Sequence, residues 1–185
     1  MPILAREPET YPDDLFERLG YADGPWWVAH VRSRQEKKLA RYLREQGTGH
    51  YLPQYEQRTR SLHRERISHL PLFSGYVFFR ANWRERRAAL KSNVVVNLLE
   101  VSDQELLERE LRDLWQAQRA GLPLVPYPYI GPGDAIGVID GPFASHRGIV
   151  LRTKGRLRLV VTISFLRRSV AVELDREVVS RVHAA

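Results

Sequence analysis

The chain is 185 residues long, 43% hydrophobic and 10% aromatic, enough for one ordinary domain or two small ones with a real core. It has no cysteine and no apolar run of about 18 residues, which excludes disulfides, thiolate catalysis, cysteine-ligated zinc and a membrane-spanning helix. The net charge is +7 and the isoelectric point is near 10.0, so a polyanionic partner is expected, most often nucleic acid.

Residues 1–25 run against that charge. Six acids stand there against Arg6 and Arg18, a net of −4, which leaves +11 on the other 160 residues. The segment reads as a weakly ordered acidic leader. It lacks the basic start and apolar stretch of a secretory signal, so a cytoplasmic protein is expected. From Trp26 the pattern tightens. WWVAHV (26–31) predicts a short strand, and RQEKKLARYLREQG (34–47) predicts a helix closed by Gly47. HYLPQYEQRTRSLHRERISHLPLFSGYVFFR (50–80) predicts strands joined by a basic arm or hairpin around residues 58–68. Within it PLFSGYVFFR (71–80) reads as one strand in which Gly75 permits a bulge.

NWRERRAALK (82–91) predicts a short helix opened by a capping box of Asn82 and Glu85. VVVNLLEV (94–101) predicts a strand. SDQELLERELRDLWQAQRA (102–120) predicts a long helix that starts on Ser102 and Glu105 and carries an apolar stripe of Leu107, Leu111, Leu114 and Trp115. This order predicts an α+β domain, an α/β sandwich, over residues 26–120. Four prolines and three glycines in GLPLVPYPYIGPG (121–133) mark a linker over 121–132. Beyond it only short strands follow (DAIGVID, RGIVLRT, RLRLVVTIS, SVAVELD, VVSRV), with turns at Gly141-Pro142 and Lys154-Gly155. They predict a small all-β barrel over residues 133–183.

Catalytic constellations are missing from the sequence. The six histidines, at 30, 50, 63, 69, 146 and 183, lack the spacing of a helical zinc site. There is no nucleophile elbow and no phosphate-binding glycine loop. The expectation is a protein with no enzymatic activity, no metal and no cofactor.

Binding chemistry is better supplied. Arg34, Lys37, Arg41 and Arg44 recur at intervals of three, four and three, which is one face of a helix. Leu39, Ala40 and Leu43 lie on another face and should pack on a sheet. Arg32 and Lys38 extend the positive zone. Glu36 and Glu45 relieve part of the repulsion among these cations, and a phosphate backbone would relieve more. A solvated amphipathic face is the competing reading. RTRSLHRER (58–66) is a second basic cluster, either a nucleic-acid arm or a soluble hairpin tip.

WWVAHVRSRQEKKLARYLREQ followed by PLFSGYVFF resembles the N-terminal domain of the NusG family of transcription elongation factors. The second segment is similar to that family's F-P-G-Y-V strand. GDAIGVIDGPFASHRGIV resembles the KOW motif: an apolar strand, a D-G-P-F turn, then Gly148 before a second strand. VTISFLRRSVAVELD resembles the family's next strand pair. The likeness spans roughly residues 26–183. The resemblance implies an α/β sandwich domain, followed by a KOW barrel of the SH3-like kind.

The resemblance also implies a job. Such domains bind the clamp helices of the β′ subunit of bacterial RNA polymerase, bridge toward the β subunit and suppress pausing and termination. Phe73 matches the family's docking aromatic, Tyr76 lies near it, and Trp26 opens the first strand; ordinary core packing competes for all three. Arg32, Arg34, Lys37, Lys38 and Arg41 would face the non-template DNA strand, with Tyr42 as a stacking ring or a packed one. Phe165, Leu166 and Arg167 would form the barrel's recruiting edge toward Rho or the small ribosomal subunit. Two departures stand out: Ser74 replaces the usual proline, and Leu166 stands where general members carry phenylalanine. With PYPYIGPGD and LVVTISFLRRSVAVELD, they make the chain more similar to specialised paralogues of the RfaH and LoaP kind, which act in antitermination on particular long operons. A monomer is expected. The alternative is a ribosome-associated, RNA-binding KOW protein.

Overall fold

The structure is a computed structural model. It describes residues 6–17, 24–61, 64–127, 137–139, 149–153, 156–174 and 182–184. The chain divides into two compact units, residues 1–104 and 105–185.

The first unit is built on five antiparallel strands in the order β1-β3-β6-β2-β7. These are β1 (Thr10–Tyr11), β2 (Trp26–Val31), β3 (His50–Tyr51), β6 (Tyr76–Arg80) and β7 (Val95–Glu100). Register sorts their side chains between two faces. Trp27 pairs with Phe79 and Ala29 with Val77, and these point to one side. There they form a core with Val31, Leu39, Ala40, Leu43 and Ala89. The last four come from helices α1 (Glu36–Glu45) and α2 (Trp83–Lys91). Trp26 pairs with Arg80, Val28 with Phe78 and His30 with Tyr76, and these belong to the opposite, aromatic face.

Local chemistry sets the helix ends. Gly47, at φ +71°, closes α1: its N–H bonds the Arg44 carbonyl at 3.0 Å and the Thr48 N–H bonds that of Leu43 at 2.8 Å, the two bonds of a Schellman motif. The Asn82 side chain accepts from the N–H groups of Arg84 and Glu85, and Glu85 accepts from the Asn82 N–H, completing the expected capping box. The start of α1 differs from expectation. Arg34 has φ +61° and precedes the helix, so it does not continue the helical line of Lys37, Arg41 and Arg44.

The basic arm is a hairpin of β4 (Gln54–Ser61) and β5 (Arg64–Pro71) that forms its own two-stranded sheet, paired from Gln54 with Pro71 to Ser61 with Arg64. Strand β5 ends at Pro71 and β6 begins at Tyr76. PLFSGYVFFR is therefore two strands around a turn, where one bulged strand was expected. The Tyr76 N–H bonds the Phe73 carbonyl at 3.0 Å, and Gly75 has φ +86°. That is the third position of a type II turn, where glycine avoids a steric penalty. The Gly75 N–H donates to Glu36 Oε1 at 2.7 Å and its carbonyl accepts from Val31, so the turn is tied to both α1 and β2.

The second unit holds most of helix α3 (Gln104–Arg119), whose Leu107, Leu111, Leu114 and Ala117 are buried. Trp115 is half-buried and carries the Arg119 guanidinium 4.9 Å from its ring centre. Four antiparallel strands run in the order β10-β11-β12-β8: β8 (Leu124–Tyr127), β10 (Ile149–Thr153), β11 (Arg156–Ile163) and β12 (Arg168–Leu174). A separate pair joins β9 (Gly137–Ile139) and β13 (Val182–Ala184). The expected linker, 121–132, thus contains a strand: Leu124–Tyr127 lies on β12. As β8 is an edge strand, Pro126 is tolerated there. Helix α3, expected with the first domain, groups with these strands, and Glu110 accepts from the N–H and hydroxyl of Ser164 at 3.0 and 2.6 Å. The D-G-P-F turn, Gly148, Lys154-Gly155 and linker residues 128–132 lie outside the described residues.

Candidate functional site

On the aromatic face the three residues expected to bind a partner have different fates. Tyr76 is half-buried and stacks on His30, ring centres 5.2 Å apart. Phe73 is only 2% exposed and meets Phe78 edge-on at 5.7 Å. Trp26 is 1% exposed, with the Arg80 guanidinium 5.1 Å from its ring centre. The turn at Gly75 returns Phe73 to the same side as Phe78. Tyr76 is accessible to a partner as the face stands; Phe73 and Trp26 are not.

The acidic leader contributes directly to this face. Strand β1 pairs with β3, Thr10 opposite Tyr51 and Tyr11 opposite His50. Leu15 and Phe16 are buried. The Phe16 ring stacks on Trp26 at 5.7 Å and meets Tyr51 edge-on at 5.2 Å. Residues 6–17 are therefore packed, where weak order was expected. Two apolar side chains within an acidic run were the available signal.

On the other side, the leader reaches helix α1. Glu7 is 6% exposed. Its Oε1 accepts from Arg41 Nη2 and its Oε2 from Arg44 Nη2, the latter at 3.2 Å. Burial alone would raise the Glu7 pKa, but the bonds and charges of the two arginines outweigh it and hold the carboxyl below its ordinary value. Lys37 is buried and its ammonium pKa is lowered, chiefly by burial, with Glu7 and Glu36 opposing the shift. The leader is pinned further by Gln54 Nε2 donating to the Glu7 carbonyl at 2.8 Å and the Leu52 N–H to that of Glu9 at 2.7 Å.

The cations expected on one surface therefore separate. Lys37, Arg41 and Arg44 share the Glu7 side. Arg32, Arg34 and Lys38 are exposed, and Tyr42 is half-buried one helical turn from Lys38. Glu36, expected to temper the stripe, is buried and holds the Gly75 turn instead. Glu7 was missed because its partners lie 34 and 37 residues away. On the hairpin, Arg58, Arg60 and Arg66 are exposed, and Arg58 contacts Glu56 at 3.5 Å.

His50 stacks 6.0 Å from Tyr11, and its Nδ1 lies 3.1 Å from the Thr48 carbonyl. Burial is the main cause that lowers its pKa to about 4; the Thr48 bond and Glu7 raise it and Arg44 lowers it. The ring is neutral near pH 7. In the second unit, Phe165 and Leu166 are half-buried in the helical turn Ser164–Leu166, and exposed Arg167 follows at φ +48°. Among the described residues, no group of three histidines or carboxylates could hold a metal. No described helix is long and apolar enough to cross a membrane.

Residues 24–113 match the family model described as transcription termination factor nusG. Among solved structures the chain is similar to one titled "Domain interaction in Thermotoga maritima NusG", with 20% identity, 83% of this chain and 94% of that chain covered, and a TM-score of 0.49. No curated protein matches the chain.

Proposed function

We propose that the chain, whose residues 24–113 match the NusG family model, is a NusG-family elongation and antitermination factor that docks on the β′ clamp helices of bacterial RNA polymerase. Proteins of this family are transcription elongation and termination factors that act on RNA polymerase, and they are not enzymes. The observation that carries the docking reading is the aromatic face. Trp26, Tyr51, Phe73, Phe78 and Tyr76 gather on the side of the sheet away from α1 and α2. Aromatic side chains are favoured anchors at protein interfaces, and Tyr76 is the member a partner reaches first. Phe73 and Trp26 join only after the face is uncovered.

In this reading Arg32, Arg34, Lys38, Arg41 and Tyr42 face the non-template strand, where cations and rings suit an exposed single strand. The turn of Phe165 and Leu166, with Arg167, recruits a further partner, Rho or the small ribosomal subunit. Residues 26–120 act as the polymerase-binding domain and 133–183 as the KOW domain. The protein works in the cytoplasm as a monomer. Ser74 and Leu166 support a specialised paralogue serving particular long operons. It does no chemistry itself: binding one state of the elongation complex better than another shifts pausing and termination.

Transcription by purified polymerase on a template with a strong pause tests this. Adding the chain should shorten the pause and raise read-through at a terminator. Unchanged or longer pausing contradicts the antitermination reading.

A further inference from the structure

The Glu7 carboxylate presents two oxygens to two guanidinium groups, Arg41 and Arg44. A phosphodiester presents its two non-bridging oxygens in the same way, and charge-assisted arginine pairs are the usual means of holding it. The burial is unequal. The Glu7 side chain is 7% exposed, while Arg41 and Arg44 remain 40% and 31% exposed. The anion is inside and the cations still reach solvent. Arg44 also keeps one buried nitrogen, Nη1, with no acceptor, so the pair has hydrogen-bonding capacity that Glu7 does not fill.

We propose that Arg41 and Arg44 form a phosphate-binding pair for single-stranded DNA, which Glu7 occupies as a built-in competitor. The inference rests on the reading of α1 as a nucleic-acid surface and adds its control. The leader is suited to such exchange. Its strand β1 has two residues at the sheet edge, and short edge elements open at lower free energy than core strands. Lifting it removes one negative charge from beside three cations, Lys37 included. A tethered carboxylate competes at high effective concentration, so DNA displaces it only where several phosphates bind together, as along an exposed strand. The leader thus disfavours stray anions and yields to a polyanion.

The test is the binding of a labelled oligothymidylate to the full chain, read by fluorescence anisotropy over a range of salt. Glu7→Gln keeps the side-chain shape and removes the charge. It should tighten binding about tenfold, the size of an ordinary coupling between sites. It should also steepen the salt dependence by about 1.4 in log–log slope, for two added phosphate contacts at roughly 0.7 each. Glu9→Gln changes net charge equally away from the pair, and should have less than about a third of that effect. Replacing Arg41 and Arg44 by Ala in the Glu7→Gln chain should erase the gain, and should weaken the wild-type chain far less. If Glu7→Gln binds no more tightly while the arginine replacement weakens both backgrounds equally, the competitor idea is overturned and the basic surface survives. If no variant binds the oligonucleotide, the α1 surface reading falls, and the proposal with it, whatever the polymerase does. Circular dichroism of each variant guards against unfolding. Should Glu7→Gln unfold, the wild-type arginine replacement still decides: a large loss of DNA affinity means the pair was never occupied.

Discussion

The two faces of the five-stranded sheet come from the same strands and have different chemistry. The helix face is mainly aliphatic, with Ala29, Val31, Leu39, Leu43, Val77 and Ala89 around Phe79, and it is closed by two helices. The opposite face concentrates rings, Trp26, Tyr51, Phe73 and Phe78, and mixes them with His30, Tyr76 and Arg80. Part of its cover is Phe16, brought by a leader whose strand is two residues long. A face that serves only the core has no need of half-buried polar rings at its margin. The difference separates a closed aliphatic side from a ring-rich side that, in the proposed reading, meets the partner.

Phe79→Ala should have the largest effect. Its ring is fully buried on the helix face, and truncation should remove about 3–5 kcal/mol by denaturant unfolding. A loss under about 1 kcal/mol would mean that the helix face is not the rigid side.

Acid comes next. His50 lies in register with Phe79, and its pKa falls from 6.5 to about 4 on folding. Between those values the unfolded chain binds a proton that the folded chain refuses, so stability should drop as pH falls through that window. The drop is on the order of 3 kcal/mol. His50→Gln should flatten the dependence between pH 6.5 and about 4. An unchanged slope in thermal melts would assign the effect elsewhere.

Phe16→Ala probes the cover on the aromatic face. The expected loss is about 2 kcal/mol, smaller than for Phe79 because a short edge segment opens locally and the site can relax. A loss as large as that of Phe79→Ala would make the leader a full member of the core and erase the contrast between the faces. Phe73→Ala is a poor probe of docking, since at 2% exposure it perturbs the fold as well.

Much of this frame is legible in the sequence where the signal is local. WWVAHV reads directly as Trp26–Val31, Gly47 as a helix end and Asn82 with Glu85 as a capping box. The α+β order of the first unit and the strand-rich second unit follow from the alternation of periods. What the sequence conceals depends on contacts between distant segments. Ser74-Gly75 looks like a bulge until Glu36 and Val31 are seen binding Gly75. The α1 stripe looks like four aligned cations until Arg34 leaves the helix and Glu7 reaches Arg41 and Arg44. The leader looks solvated because its acids outnumber Leu15 and Phe16, yet those two side chains decide where it packs. LVPY lies among prolines and glycines that suggest a linker, and only its partner β12 makes it a strand.

On the proposed reading the aromatic face, and not the helix face, meets RNA polymerase. Binding of the full chain to a fragment carrying the β′ clamp helices decides this, with one solvent-accessible ring removed from each side. Tyr76 belongs to the aromatic face; Trp83, 63% exposed, belongs to helix α2 on the other. Tyr76→Ala should weaken binding about tenfold, roughly 1.4 kcal/mol, and Trp83→Ala should leave it unchanged. Equal affinity for Tyr76→Ala and wild type, or a loss confined to Trp83→Ala, would contradict the reading.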